Sequence, residues 1–299
     1  MAQKIRVGFI PEHFSTPIHY AQAKGYFAVE GLEVVLLEYP SGSGHLIQSL
    51  KSGEIDIAIG LTEAFVRGIC DGDEDYKLVG TYVQSPLCWA ISTGKDRPDV
   101  SLPEQLSGKR IGVSRIGSGS YVMSFVLAME LKFQQPFFSS FSVVQNFKNL
   151  RDSVNLVPGV EGSEAFMWEH FTSKRYYDSG EIRKIGQIYT PWPSWVVVSS
   201  ASLDSTLVTK FTAALKRGID YFNENPEESV KHIYTALDYS EEDAREWLKT
   251  VEFSKDPSTL DFTTTVAKTA EVLKAAGVIQ QNGESDDTIQ ARIEAGIKR

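Results

Sequence analysis

Gly25 to Phe65 reads GYFAVEGLEVVLLEYPSGSGHLIQSLKSGEIDIAIGLTEAF. A short helix stops at Gly25, and the apolar run Leu32 to Glu38 forms a strand that Pro40 breaks, since proline has no N–H to give to a sheet ladder. The loop Ser41-Gly42-Ser43-Gly44 opens a helix that ends at Gly53. A second apolar strand covers Ile55 to Gly60, and Thr62-Glu63 opens the next helix. Strand, loop, helix, strand, loop, helix is the pattern of a parallel sheet with helical crossovers. Ligands of such sheets sit beyond the carboxyl ends of the strands, on loops that lead into helices. Here those loops carry small residues and hydroxyls, which bring backbone N–H groups and helix N-termini close to a small molecule.

On either side the same grammar continues. Ile5 to Ile10 is a first strand, and Thr16-Pro17 starts a helix, Pro17 standing where its missing N–H costs nothing. Tyr76 to Thr93 reads as one long strand interrupted at Pro86, a place for an edge, a bend or a crossing between domains. A polar connector, 94–109, follows, and then the opening pattern returns. Lys109 to Ser114 is a strand like Lys4 to Phe9, Arg115 to Ser120 is a small-residue loop, and Tyr121 to Lys132 is a helix. Gly159 to Phe171 echoes Gly53 to Phe65, so a second lobe weakly repeats the first. Gln187 to Ser200 reads as a strand that carries the chain back to the first lobe. The remainder is helical and is expected to brace the sheets: Asp204 to Asn223, a start at Asn225-Pro226, a capping box at Ser240-Glu241-Glu242-Asp243, Thr263 to Ala276, and a last helix from about Asp286.

Composition narrows the function. The chain has 299 residues, enough for two domains, and 39 Asp and Glu against 30 Lys and Arg leave a net charge of −9. That argues against a broad nucleic-acid-binding face. The two cysteines, Cys70 and Cys88, form neither a disulfide framework nor a zinc motif. No apolar run approaches the roughly 20 residues of a membrane span, and Met1 leads into a strand with no secretory leader between, so the expected location is the cytoplasm. The segments GYF…EGLEV, the Ser/Gly loop, LKSGEIDIAIG (Leu50 to Gly60), LSGKRIGV (Leu106 to Val113) and FMWEHF (Phe166 to Phe171) together resemble the type II periplasmic-binding-protein fold. The resemblance is to the branch of nitrate, sulfonate, taurine and thiamine-pyrimidine binders and fungal pyrimidine-synthase-like proteins, and it covers roughly residues 4–200.

This resemblance implies an α/β clamp of two lobes, each a mostly parallel sheet flanked by helices, with a two-strand hinge and a helical C-terminal tail. Lobe one would comprise residues 1–90 and 195–299, and lobe two residues 91–194, with the ligand between. It implies crossings near Val83 to Ile91 and near Tyr189 to Ser200. Carried onto this sequence, the cleft walls are Glu12, His13, Ser41, Ser43, Gly44, Thr62 and Glu63 from lobe one and Ser118, Gly119, Ser120, Tyr121, Glu169 and His170 from lobe two. Relatives carry Pro where this chain has His170. The cysteine-rich iron motif of the fungal pyrimidine synthases has no counterpart here.

The residue types set the chemistry. Ser118 to Ser120 begin a helix, where hydroxyls and free N–H groups suit an anion or simply cap the helix. Ser41, Ser43 and Gly44 carry the same two readings. Glu12, Glu63 and Glu169 on one cleft would favour N–H donors or positive charge, or serve as helix caps; paired carboxylates also do acid–base chemistry. Trp89, Trp192 and Trp195 flank the hinge, where aromatics stack on a flat heterocycle or pack the core. The spacing of His13, His19 and His170 is no metal motif, and no metal or cofactor is expected. The first expectation is a solute-binding protein for a small polar ligand, such as a thiamine-precursor pyrimidine or a sulfonate-like anion. A cytosolic enzyme on the same scaffold, with Glu and His moving protons, and a ligand sensor for an unidentified protein partner are the alternatives.

Overall fold

The computed structural model describes residues 2–279 and 284–298. Its strands are β1 (Gln3–Phe9), β2 (Leu32–Glu38), β3 (Ile57–Leu61), β4 (Tyr76–Val83), β5 (Cys88–Gly94), β6 (Arg110–Val113), β7 (Ser140–Val143), β8 (Ala165–Glu169), β9 (Ile182–Tyr189) and β10 (Trp195–Ser200). They form two five-stranded sheets, ordered β2-β1-β3-β10-β4 and β7-β6-β8-β5-β9. In the first, β1 pairs parallel with β2 and β3, while β10 runs antiparallel between β3 and β4. In the second, β6 pairs parallel with β7 and β8, while β5 runs antiparallel between β8 and β9. Each sheet therefore has four strands pointing one way and one against them, and the opposed strand is the one delivered from the other lobe. The two lobes have the same topology, as the sequence echo implies.

The stretch from Gly25 to Phe65 folds as its pattern demands. Leu32 to Glu38 is β2 over its full length. Gly42 stands just ahead of the helix Ser43–Lys51 at φ 80°, a left-handed conformation that a side chain would strain. Two expected long strands are each two strands. Tyr76 to Thr93 divides at 84–87 around Pro86, and Gln187 to Ser200 divides at 190–194 around Pro191 and Pro193. Proline cannot complete a ladder, so the chain leaves one sheet there and enters the other. These divisions are the crossings between lobes. They lie side by side and are pinned together: Leu87 N donates to Thr190 Oγ1 at 2.9 Å, Thr190 N to Leu87 O at 3.1 Å, and Ser194 Oγ to Ser85 O at 2.7 Å.

Burial follows from β10. Val196, Val197 and Val198 are fully buried at the middle of the first sheet, each contributing about 1.5–3 kcal/mol of apolar transfer. The C-terminal helices do brace the lobes. Ser205–Glu224 packs along Thr16–Ala23, Phe253 bridges to Val83, and Ile297 to Leu78, all on the first lobe. The segment around the helices Pro226–Ala236 and Glu241–Leu248 also reaches the second lobe, through Tyr239 Oη to Thr172 Oγ1 at 2.8 Å and Asp243 to Lys174 at 3.2 Å.

Candidate functional site

The strands β1, β2, β3, β6 and β8 all end at the gap between the lobes; β1, β2 and β6 pass through short loops into helices, and β3 and β8 pass into helices directly. These strand ends and loops enclose a cavity lined by Ile10, Glu12, Gly42, Ser43 and Leu61 of the first lobe and by Ser114, Ser118, Gly119, Ser120, Trp168 and Glu169 of the second. Leu87 of the first crossing, Trp89 of β5 and Trp195 of β10 complete the lining. The lobes are shut: the cavity measures about 20 Å³, room for about one water molecule.

Its two carboxyls are held by specific donors. Glu12 is buried, and its Oε1 accepts the indole N–H of Trp168 at 3.0 Å, a contact between lobes. Burial raises its pKa to about 7, against the pull of the hydrogen bonds. Glu169 caps the helix His170–Asp178, its Oε2 accepting Thr172 N–H at 2.7 Å. Burial, reinforced by Glu12, raises it to about 8. No lysine, arginine or histidine is among the residues lining the cavity, so within it nothing of opposite charge balances the pair.

Across from the carboxyls stand donors. Gly119 and Ser120 open the helix Gly119–Glu130, whose first N–H groups have no partner within the helix. The serine hydroxyls there are largely spent on the loop: Ser118 Oγ donates to Arg115 O at 2.8 Å and Ser120 Oγ accepts Ser114 N–H at 3.1 Å. Ser43 Oγ accepts Leu61 N–H at 2.9 Å and keeps its own hydrogen. The indole N–H groups of Trp89 and Trp195 are buried and have no hydrogen-bond partner among the described residues. Buried donors are rarely left unmade, because each costs about 1–3 kcal/mol. Both residues line this cavity.

Other expected site residues lie elsewhere. Glu63 is fully buried and takes the indole N–H of Trp192 at 3.0 Å; neither lines the cavity, and burial raises Glu63 to about 7. The reason is register. Leu61 ends β3 as Glu169 ends β8, so Glu63 sits two residues further on, inside the helix Thr62–Cys70, and turns away from the gap. Thr62 ties this turn to the crossing by donating to Pro193 O at 2.6 Å. Gly44 packs against Arg115 and Ser118 of the other lobe, and Ser41 is half-buried outside the lining. Tyr121 packs at a tilt against Phe125 and Phe141 within lobe two, at 4.9 and 4.8 Å.

The two histidines are also outside. His13 lies behind Glu169, its Nε2 3.6 Å from the carboxyl, clamped between Tyr239 at 4.4 Å and Trp247 at 4.2 Å. Burial holds its pKa well below the usual value, so it is neutral. His170 lines a rear cavity at the hinge with Phe14, Cys88, Tyr189 and Trp247; burial and the Lys184 and Lys174 charges lower it to about 4. Sequence reasoning missed Trp168 and Ser114 as cavity residues, although both stand at the ends of apolar runs that point at the gap. Among the described residues no group of three or more His, Cys, Asp or Glu converges to hold a metal, and no helix is long and apolar enough to cross a membrane.

Comparison with known proteins places this geometry. Two family models match: the NMT1-like family over residues 2–107 and the Ca3427-like periplasmic binding proteins over residues 89–188. The alkanesulfonate-binding protein SsuA of Xanthomonas axonopodis pv. citri, bound to MOPS, superposes with a TM-score of 0.72 at 16% identity, over 94% of this chain and 96% of that one. The periplasmic nitrate-binding protein NrtA of Synechocystis PCC 6803 gives 0.73 at 14% identity, over 98% and 86%. At these identities the likeness speaks for the fold. No curated protein sequence matches. The conserved CA3427 gene product of Candida albicans, described as defining a family with the generic periplasmic-binding-protein fold, is 54% identical over 99% of this chain and 96% of its own, with a TM-score of 0.93. The chain belongs to that CA3427 family and has its two-lobed periplasmic-binding-protein fold.

Proposed function

We propose that the protein is a solute binder whose lobes close on a small nitrogen-rich heterocycle of the thiamine-precursor pyrimidine kind. The observation that carries this reading is the pairing, in one cavity, of two buried carboxyls without a cationic partner and two indole N–H groups without an acceptor. A ring bearing an amino group and ring nitrogens answers both. Its N–H donors meet Glu12 and Glu169, its acceptors meet Trp89 and Trp195, and its faces suit the surrounding aromatic rings. The closed cavity is smaller than such a ring, so the ligand enters as the lobes part along the crossings and takes over the hydrogen bond that Trp168 gives Glu12.

A sulfonate-like anion is the second reading, supported by the helix start at Ser118 to Ser120 and by the same indole donors. Burial raises the pKa of Glu12 to about 7 and of Glu169 to about 8, which favours the neutral forms of both near neutral pH and lessens their repulsion of an anion.

A thermal-shift panel of aminopyrimidines, small sulfonates and simple amines separates these. A ligand bound only by the folded state stabilises it by about 2.7 kcal/mol at a hundredfold excess over its dissociation constant. The account expects a shift with aminopyrimidines that is lost in the Glu12→Gln/Glu169→Gln variant. A shift with sulfonates that survives that variant supports the anion reading. No shift with any member overturns both.

A further inference from the structure

Ile10, Glu12 and Trp168 line two spaces at once. On one side is the cavity just described. On the other is an outer recess of about 180 Å³, walled by Pro11 and Pro40 of the first lobe, Phe147 and Tyr176 of the second, and Tyr239 of the helical region. The hydrogen bond from Trp168 Nε1 to Glu12 Oε1, 3.0 Å long, forms part of the partition between them. The recess is aromatic and firm. Trp168 stacks on Phe147 at 5.1 Å and 19°, and Tyr176 meets Phe147 edge-on at 5.4 Å. The Arg151 guanidinium backs both rings, 3.6 Å from the centre of Tyr176 and 4.7 Å from that of Phe147. At the rim, Asp238 accepts the Tyr176 hydroxyl at 3.0 Å and pairs with Arg175, so its charge is already answered.

We infer that this recess is a second subsite of the same ligand, one that holds a neutral planar or apolar tail attached to the polar head between Glu12, Glu169 and the indoles. The inference rests on the cleft being the binding site. A ring that replaces Trp168 as the donor to Glu12 opens the partition and joins the two spaces. A cavity of about 150 Å³ is enough for benzene, so the recess matches one aryl group or a short alkyl chain. The ligand class is then an aryl- or alkyl-substituted polar head, and the bare head is the weaker binder.

Matched probes test this on the full chain by calorimetric titration: aminopyrimidine against N-benzylaminopyrimidine, and methanesulfonate against benzylsulfonate. Burying one phenyl group is expected to tighten binding about tenfold to a hundredfold. The tailed-to-bare affinity ratio is expected to collapse toward one in Phe147→Leu, and in Tyr176→Leu as an independent check. Taking the ratio within each variant removes any general loss of stability. If a bare head binds and the tail adds nothing, or excludes the probe, the second subsite is wrong while the cleft reading stands. If the tail helps equally in both variants, it lies elsewhere and the assignment of this recess falls. If no probe of either pair binds, the cleft reading fails as well.

Discussion

Trp168, near the end of β8, donates its indole N–H to Glu12, in the loop that follows β1, across the gap between the lobes at 3.0 Å. The bond joins the second lobe to a carboxyl that burial holds near pH 7 in its titration, beside a second carboxyl, Glu169, held near 8. Closure thus brings two acids together in a place that tolerates them best when protonated.

That arrangement fixes the sign of the pH dependence. The folded-state pKa values of Glu12 and Glu169 lie above the ordinary value of 4.5. The stability they lend is full below that value and is lost as pH rises through about 7 and 8. Glu63, raised to about 7 by burial, acts in the same direction. His13, lowered by burial, acts oppositely, its contribution present above its ordinary 6.5 and lost as pH falls. Above that point only the carboxyl trend remains, so the melting temperature should drop between about pH 6.5 and pH 8.5. The Glu12→Gln/Glu169→Gln variant should show a shallower drop. A wild-type melting temperature that is flat or rises across this window contradicts the assignment.

Gly119 sets how far the lobes can shut. A Cβ built there would stand 2.5 Å from Leu61 Cδ1 of the opposite lobe and 2.9 Å from the Trp89 ring. Overpacking of this kind costs about 1–3 kcal/mol. Gly119→Val should therefore weaken ligand binding about tenfold to a hundredfold and give a more open form in small-angle scattering. Leu61→Ala should recover part of that loss in the double variant, a coupling that two independent sites would not show. An unchanged scattering profile would place closure elsewhere.

The Glu63–Trp192 pair stands outside the cavity lining and is expected to behave as a structural pair. Trp192→Phe removes the donor to Glu63 Oε2, and Glu63 Oε1 has no hydrogen-bond partner among the described residues. The cost should be about 1–3 kcal/mol of stability in denaturant unfolding, with ligand affinity held within about twofold. A large change in affinity at undiminished stability would return the pair to the binding site.

Much of the fold is written locally. β2 is legible because its apolar run is punctuated by Gly31 and Pro40, and the crossings because Pro86, Pro191 and Pro193 forbid a continuous ladder. The helix Phe147–Val154 goes unmarked in the sequence reading, since eight residues barely display a helical period. Site residues were harder. Glu63 and Glu169 align in the sequence echo, yet strand register shifts them by two positions, and only Glu169 faces the gap. His13 stands in a polar loop sequence, and its burial comes from Tyr239 and Trp247, far along the chain. Trp168 is part of the FMWEHF motif and carries no local sign of a role at the gap; its indole N–H links the lobes only because Glu12, in the loop after β1, stands opposite it. Such facts are properties of the closed assembly and have no local signature.

The most direct test of the cleft is native mass spectrometry of the intact protein with millimolar aminopyrimidine and, separately, methanesulfonate, set beside the Glu12→Gln/Glu169→Gln variant. The account predicts one aminopyrimidine per chain on the wild type, released on denaturation and absent from the variant. No adduct with either probe, or an aminopyrimidine adduct that persists equally in the variant, would contradict it.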